Sequence, residues 1–328
     1  MCCKACAATL PGKAPAAAPL TPLGGSIPIR VVRAKPTGIC AGVRRALKVA
    51  EQIDHPETVT IHGQLVHNEA VQARLQSRGF RTCDEGDGSQ LPETPNVLIT
   101  AHGLSDRCRR SLQAAGKRLI DTTCPLVRRL HRTALAMQAD GYHVLLIGRP
   151  DHVEVLGIIE DLSSYDVLSD VAGVRTYPHR RLGIVCQTTV PPRLAEEIHL
   201  AIRMRNLRAE VRFENTICRA TRDRQRAVER ILPQVDAVVV VGGRNSNNTC
   251  ELVELCRRKG VPTHHVRSAD DIDPAWLRDC RTVGLSAGTS TEEQTIREVY
   301  EALCHLLRQE AFCGRLQTTL HDSGRKAV

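Results

Sequence analysis

One arrangement occurs three times in this chain: a short apolar run, a polar turn containing one cysteine, and a basic segment with helical spacing. The cysteines are Cys40, Cys124 and Cys218, and they lie 84 and 94 residues apart. The apolar runs are typical of strands, and the basic segments have the periodicity of amphipathic helices. Because about one small α/β unit separates successive copies, we expect three strand-to-helix turns that bring three thiols to one centre.

Strand, polar turn and helix alternate at least nine times along the sequence, which predicts an α/β fold with mostly parallel sheets. A chain of 328 residues also exceeds the usual size of one hydrophobic core. Length thus predicts two or three domains, and the three-fold recurrence favours three similar α/β units. The predicted division is a flexible tail (1–29), three units (30–116, 117–209 and 210–310, the last with a helix to about Leu307) and a basic tail (311–328).

Composition narrows the class of protein. Aromatic residues make up only 2% of the chain, so Val, Leu, Ile and Ala must form the core, and a base-stacking surface for nucleic acid is not expected. No run approaches the ~18 apolar residues that a membrane helix needs. The formal net charge of +9 has two explanations: an Arg-rich solvated surface, or an anionic partner such as a phosphorylated substrate or an acidic electron-transfer protein.

Cysteine usage indicates the compartment. The chain has 14 cysteines but no secretory signal, because prolines interrupt any apolar run near its start. We therefore expect reduced thiols and a cytoplasmic protein. Cys3 and Cys6 have the spacing of half a zinc site, but no matching second pair is evident. The sequence does not determine the oligomeric state.

Polar residues follow the predicted strands at their carboxyl ends, where parallel sheets bind ligands. We interpret them as the lining of a single polar pocket. They are Cys40, His67, His102, Cys124, His152, Glu154, Thr188, Cys218, Ser246, Asn248 and Ser290.

The three recurrent cysteines have several possible roles. At helix N-termini with arginines nearby, we expect them to gain thiolate character. Three thiolates could hold zinc with a histidine as the fourth ligand, or an iron–sulfur cluster with one open iron that acts as a Lewis acid. Their long spacing is unlike compact zinc modules and ferredoxin runs. Most other cysteines, such as Cys186 and Cys256, are interpreted as small buried apolar side chains.

The histidine and hydroxyl residues resemble an anion site, because short donors at turns before helices favour phosphate. The alternative is that Ser and Asn are helix N-caps and the histidines are core residues with satisfied hydrogen bonds. Glu154, two residues after His152 and with Thr188 at a neighbouring strand end, could relay protons if burial raises its pKa. Its alternative role is a first-turn carboxylate favoured by the helix dipole. No Walker A or G-x-G-x-x-G pattern is present.

At these motifs the sequence resembles the LytB/IspH family of hydroxymethylbutenyl diphosphate reductases, from about Val31 to Leu307. Nine motifs occur in the family's order. They are G-I-C-A-G-V at Cys40, L-V-H-N at His67, A-H-G at His102, D-T-T-C-P-L-V at Cys124, H-V-E at His152, Q-T-T at Thr188, I-C-R-A-T at Cys218, N-S-N-N at Asn245–Asn248 and A-G-T-S at Ser290.

The resemblance implies a trefoil-like, pseudo-three-fold arrangement of the units around a [4Fe–4S] cluster with one open iron, held by Cys40, Cys124 and Cys218. It also implies diphosphate binding and a proton relay. The residues implied for diphosphate binding are His67, His102, Ser246, Asn247, Asn248 and Ser290, and those for orienting the substrate and relaying protons are His152, Glu154 and Thr188. The implied reaction removes an allylic hydroxyl with two electrons and two protons, to give isopentenyl and dimethylallyl diphosphates. Ferredoxin or flavodoxin is the implied electron donor.

The chain departs from the family pattern beside these motifs, at Val153, Arg222, Asp223, Asn247 and Glu292. Two alternatives therefore stay open: a divergent paralogue that acts on another allylic diphosphate, and a non-catalytic iron–sulfur redox sensor. Retention of a glutamate and a threonine suited to a proton relay argues against the sensor, because sensing requires no proton delivery.

Overall fold

The computed structural model describes residues 30–83, 91–278 and 280–323. The predicted N-terminal tail, with Cys3 and Cys6, lies outside the described residues, as do the last five residues of the predicted basic tail.

Strands and helices alternate along the described chain. The first elements are β1 (Arg30–Arg33), α1 (Ala41–Glu51), β2 (Val59–His62), α2 (Glu69–Ser77), β3 (Arg81–Cys83), β4 (Asn96–Ile99), α3 (Asp106–Ala114) and β5 (Arg118–Asp121). The middle elements are α4 (Pro125–Ala139), β6 (His143–Ile147), α5 (Val153–Ile159), β7 (Tyr165–Leu168), β8 (Arg181–Cys186), α6 (Pro192–Arg205) and β9 (Glu210–Glu214). The last are α7 (Arg219–Ile231), β10 (Ala237–Val241), α8 (Asn247–Arg258), β11 (Thr263–Val266), β12 (Thr282–Ala287) and α9 (Glu293–Ser323).

The strands form three four-stranded sheets, which confirms the predicted fold class. The first sheet has the order β3-β2-β4-β5, the second β7-β6-β8-β9 and the third β11-β10-β12-β1. All strand pairs among the described residues are parallel. Each sheet therefore has the same plan, and the strands that precede the three recurrent cysteines, β1, β5 and β9, occupy equivalent edges.

The sheets are covered on both faces, as parallel sheets require. In β10 all five residues are buried, and successive side chains point to opposite faces. Val238 and Val240 pack in the cluster that contains α7 and α8 residues, whereas Val239 and Val241 pack with α9. Because both faces of β10 are buried, an almost uninterrupted run of valines is favoured there.

Each recurrent cysteine lies where the chain passes from one sheet to the next. β1 pairs with β12 of the third sheet, whereas α1 packs on the first sheet. β5 pairs with β4 of the first sheet, whereas α4 packs on the second. β9 pairs with β8 of the second sheet, whereas α7 packs on the third. The three cysteine turns are therefore the three junctions between units.

Strand pairing crosses the predicted boundaries at 117 and 210. The helices belong to the predicted units, but strands β5 and β9 hydrogen-bond to the sheet of the preceding unit, and β1 to that of the last. Strand partners are set by tertiary packing, which apolar periodicity does not report. The last helix is also longer than predicted, since α9 continues from Glu293 to Ser323 through most of the supposed basic tail. No helix of the described residues is long and apolar enough to cross a membrane.

Candidate functional site

The three cysteine turns are built alike. In each, the cysteine is the N-cap of the next helix, and its backbone N–H donates to a carbonyl just beyond the neighbouring strand. The hydrogen bonds are Cys40 N–H to Thr289 (3.0 Å), Cys124 N–H to Ala101 (3.0 Å) and Cys218 N–H to Thr188 (2.9 Å). A common backbone geometry therefore directs the three thiols.

Two of the thiol sulfurs each accept a hydrogen bond from a backbone N–H group. The Sγ of Cys40 accepts the N–H of Val43 at 3.5 Å, and the Sγ of Cys218 accepts the N–H of Thr221 at 3.2 Å. The Thr221 hydroxyl also lies 3.1 Å from the Cys218 sulfur. N–H donors aimed at sulfur stabilise a thiolate once a metal has displaced the thiol proton.

The expected thiolate character is wrong for Cys124 and Cys218 in the unliganded chain. Burial raises the pKa of both thiols above the ordinary value, and this outweighs the backbone N–H groups that favour the charged form. The helix dipole does not overcome the loss of solvation here. A metal group that binds these thiols must therefore release protons.

A cavity of about 430 Å³ is lined by all three thiols, and Glu154, Thr188 and His102 also line it. Three sulfurs around one zinc ion, each about 2.3 Å from the metal, would lie about 3.8 Å apart. Among the described residues, the set of three or more Cys, His, Asp or Glu ligand atoms within 4.8 Å of one another is Asp106, His131 and Asp161, and does not include the thiols. The thiols therefore fit a group larger than a single ion.

The rim of the thiol cavity leaves no room for added side-chain atoms at Gly42. A Cβ atom at this first-turn position of α1 would lie 2.7 Å from the Sγ of Cys124 and 3.9 Å from that of Cys40. The glycine thus allows a helix N-terminus to approach two thiols at once.

Three histidine rings meet next to the thiol cavity. The rings of His67 and His102 are stacked with centroids 4.2 Å apart, and the ring of His152 meets them edge-on at 5.5 and 5.6 Å. The sequence placed these residues after three different strands, and the structure brings them together.

The histidines are neutral in the unliganded chain. Burial, with Arg149 nearby, lowers the pKa of His67 to about 4, and burial together with His67 lowers that of His152 to about 3. Burial, and then the neighbouring histidines, hold the pKa of His102 well below its usual value. A bound anion would oppose these effects and favour the charged rings.

The hydrogen bonding of the Nδ1 atoms differs between His152 and His102. The Nδ1 atom of His152 accepts the backbone N–H of Glu154 at 3.1 Å, so the proton of the neutral ring is on Nε2. The Nδ1 atom of His102 is buried and has no hydrogen-bond partner among the described residues. A buried polar atom without a partner is costly, which indicates that a ligand completes this site.

Glu154 is buried against Thr188. Its Oε1 accepts the Thr188 N–H at 2.7 Å, and its Oε2 accepts the Thr188 hydroxyl at 2.8 Å. Burial raises the pKa of this carboxyl to about 7, although the two hydrogen bonds act in the opposite direction. The condition for a proton-relay role, a pKa raised by burial, is therefore met.

The polar residues of the third unit connect the units, and some also act as caps. The Oγ of Ser246 accepts the Thr249 N–H at 3.4 Å, which makes Ser246 the N-cap of α8. Asn248 accepts the Thr289 N–H at 3.1 Å. The Ser290 hydroxyl donates to the carbonyl of His67 at 3.1 Å.

Asn247 lies in the same turn and reaches the second unit. Its Nδ2 donates to the Thr189 hydroxyl at 2.8 Å, while its Oδ1 is buried without a partner among the described residues. All the residues predicted to line the pocket thus lie at or around one centre, but part of their hydrogen-bonding capacity holds the units together.

Sequence reasoning missed two residues of the site. Asn68 caps α2 through the N–H of Val71 and donates to the carbonyl of Ser290 at 2.9 Å, and its place after His67 could have indicated this. Arg224 is buried beside the thiols and donates to the carbonyl of Gly38 in the first cysteine turn. Its position six residues after the third cysteine was the available indication.

A family model described as LytB protein matches residues 31–304. The chain belongs to the LytB family. Proteins named 4-hydroxy-3-methylbut-2-enyl diphosphate reductase from Methylibium petroleiphilum and Aquifex aeolicus are similar to it, with 36% identity over 83% of this chain and 84% of the relative, and 32% identity over 83% and 94%. The resemblance predicted from the nine motifs is thereby confirmed.

Solved structures agree with this membership. The E-1-hydroxy-2-methyl-but-2-enyl-4-diphosphate reductase from Plasmodium falciparum has a TM-score of 0.76 and 26% identity, over 84% of this chain and 87% of that one. A second structure, of an (E)-4-hydroxy-3-methyl-but-2-enyl diphosphate reductase described as the terminal enzyme of the non-mevalonate pathway, has a TM-score of 0.57 and 30% identity, over 84% and 99%. Membership of this family implies an iron–sulfur cluster, in keeping with the widely spaced thiols.

Two departures from the family pattern form ion pairs. Glu292 pairs with Arg74 at 2.8 Å, and Asp223 pairs with Arg219 at 3.2 Å. Both pairs are partly exposed to solvent, so they contribute little to stability. Arg219 and Asp223 also line the thiol cavity, so this pair brings charges of both signs to its wall.

Proposed function

We propose that this chain reduces 4-hydroxy-3-methylbut-2-enyl diphosphate to isopentenyl and dimethylallyl diphosphates. Two electrons and two protons enter, the allylic C–O bond breaks, one proton leaves with the hydroxyl as water, and the other is added to an allylic carbon. One observation carries the proposal: a single cavity joins the three thiols to a buried carboxyl whose pKa is about 7.

Cys40, Cys124 and Cys218 would hold a [4Fe–4S] cluster with one open iron. When bound, the cluster would supply electrons and a Lewis-acidic iron for the substrate hydroxyl. Support comes from thiols too far apart for one ion and from the N–H donors at the Cys40 and Cys218 sulfurs. The cavity places this group against the side chains that would handle protons.

The diphosphate would bind among the three histidines and the donors of the third unit. The neutral His152 offers an Nε2–H donor, and His102 has an unpartnered Nδ1 atom. A cavity of about 500 Å³ lined by His67 and His152 also contains Arg149 and Arg244, whose charges favour an anion. The residues proposed for diphosphate binding are His67, His102, Ser246, Asn247, Asn248 and Ser290, with His152 and Thr188 orienting the substrate.

Glu154 would be the proton donor. With a pKa of about 7, the carboxyl retains its proton in much of the population near neutral pH and still releases it readily. Thr188 holds both carboxyl oxygens and lies at the same cavity, so it positions the acid and can pass the proton through its hydroxyl. Burial excludes bulk water from this pair.

We further propose a ferredoxin or flavodoxin as the electron donor and a cytoplasmic location. The net charge of +9 suits an acidic carrier. Cys40, Cys124, Cys186, Cys218 and Cys256 are free thiols, which is typical of a reducing compartment.

The test is anaerobic purification with iron and sulfide analysis, followed by an assay with reduced methyl viologen and 4-hydroxy-3-methylbut-2-enyl diphosphate. We expect about four irons per chain, and both diphosphate products. A colourless, iron-free protein would refute the proposal. An iron-loaded protein whose spectrum ignores the substrate would instead support the redox sensor, and turnover only of another allylic diphosphate would support the paralogue.

A further inference from the structure

Most of the chain's net charge lies on the three helices that begin at the cysteines. α1, α4 and α7 contain eleven Lys and Arg residues and only three Asp and Glu residues, whereas the whole chain has a formal net charge of +9. An Arg-rich composition alone would spread the charge over all surfaces. The concentration on these helices therefore indicates a local role.

Helix stability does not explain these charges. The N-terminus of a helix carries partial positive charge, so acidic residues are favoured in the first turn and cations are not. α2, α3 and α9 follow this rule, with Glu69, Asp106 and Glu293. None of the cysteine helices has an acidic residue in its first turn, and each has an arginine four residues after its cysteine.

Many of these arginines are also unpaired. Elsewhere arginines commonly form ion pairs, as Arg175 does with Asp166 and Arg74 with Glu292. We call the unpaired set on the cysteine helices the arginine face. It consists of Arg44, Arg45, Arg129, Arg132, Arg222 and Arg226, which have no acidic partner among the described residues.

Part of the arginine face lines a groove next to the thiol cavity. Arg45 and Arg132 line a groove of about 580 Å³ that shares His102 and Glu154 with the thiol cavity. The wall of the thiol cavity itself includes Leu126, the second residue of α4, which is an apolar side chain with 39% exposure. An exposed apolar side chain thus lines the same cavity as the thiols.

We propose that the arginine face is the docking site of an acidic electron-carrier protein, which approaches the cluster from the thiol side. This rests on the proposed function, because a substrate reductase needs a donor. Charge complementarity would steer the encounter, and the apolar contact at Leu126 would bring the carrier's redox group close to the thiols. The diphosphate would enter from the other cavity, lined by Arg149 and Arg244. Substrate and donor then need not compete for one entrance.

The experiment compares two reductants on the iron-loaded protein: a reduced acidic ferredoxin and the methyl viologen radical cation. In the variant R45E/R132E we expect the KM for ferredoxin to rise about tenfold and its salt dependence to weaken, because two steering charges are reversed. The viologen-driven rate should not fall, since a small cation gains nothing from the arginines. The neutral variant R45Q/R132Q should show an intermediate KM.

R180E/R208E is the matched control. Both arginines are exposed, have no ion-pair partner among the described residues, and line neither the groove nor the thiol cavity. We expect its KM for ferredoxin to stay within about twofold of the wild type, allowing for its changed net charge. An equal effect of both charge reversals, or no effect of R45E/R132E, would overturn the docking site.

The docking site and the proposed function can fail separately. The rate at which ferredoxin reduces the cluster is read from its absorption without any substrate, so docking is measured even if no diphosphate turns over. Absence of viologen-driven turnover in the wild type would refute the function alone. Salt-sensitive binding of RNA that R45E/R132E removes, with ferredoxin reduction unaffected, would assign the arginine face to nucleic acid instead.

Discussion

Thr188 holds both carboxyl oxygens of Glu154, with its N–H at 2.7 Å and its hydroxyl at 2.8 Å. The two residues come from different strand ends of the second unit, and the contact is buried. Burial raises the pKa of Glu154 to about 7, and the two hydrogen bonds keep it from rising further. The pKa of this carboxyl, close to neutral pH, therefore results from two opposing effects: burial raises it and the hydrogen bonds lower it.

Replacing Glu154 by Gln should reduce turnover at least about 100-fold, because the amide keeps the shape but has no acidic proton to give. Iron content and the cluster spectrum should be unchanged. Glu251→Gln is the control, since burial also raises the pKa of that carboxyl but it lies outside the thiol cavity. Retained turnover in E154Q would exclude Glu154 as the proton donor.

Thr188→Val should move the alkaline limb of the kcat–pH profile to higher pH. The acid form of Glu154 donates the proton, so the rate falls as pH rises through its pKa of about 7. Valine removes a hydrogen bond that favours the carboxylate, which raises the pKa by about one unit. Thr188→Ser keeps the hydroxyl and should keep the limb in place. A limb that moves to lower pH in T188V would contradict this account.

Gly42→Ala should lower iron content to well below half of the wild-type value while the chain still folds. The added Cβ would lie 2.7 Å from the Cys124 sulfur, so the two helix N-termini must move apart. Alanine is otherwise favoured over glycine in a helix by about 1 kcal/mol. Iron analysis and circular dichroism separate the two effects. Gly173→Ala, where the nearest atom would be 3.5 Å away, is the control and should retain full iron.

His67→Phe should weaken binding of inorganic diphosphate about tenfold, equivalent to ~1.4 kcal/mol. The phenyl ring can keep the 4.2 Å stacking on His102 but offers no nitrogen to the anion. Isothermal titration calorimetry measures the affinity, and the melting temperature reports the fold. His55→Phe, at an exposed histidine outside the histidine cluster, should bind as the wild type does. Equal affinities of the two variants for diphosphate would show that His67 does not bind the anion.

The sequence by itself determined the fold class and predicted most members of the proposed site. Periodicity identified the recurrent strand-to-helix turns. The cysteines, histidines and Glu154 were identified because they follow the carboxyl ends of predicted strands, where parallel sheets bind ligands. Periodicity does not indicate β3 (Arg81–Cys83) or β7 (Tyr165–Leu168), since short, partly exposed edge strands have no apolar alternation.

Only the tertiary structure decided how these residues meet. The cysteines prove to be junctions between sheets because each strand pairs with one unit while its helix packs on the next. Distances among thiols, the stacking of His67 on His102 and the burial of Arg224 depend on contacts between units far apart in the chain. The pKa of Glu154 depends on desolvation, which a residue acquires only when the surrounding units exclude water.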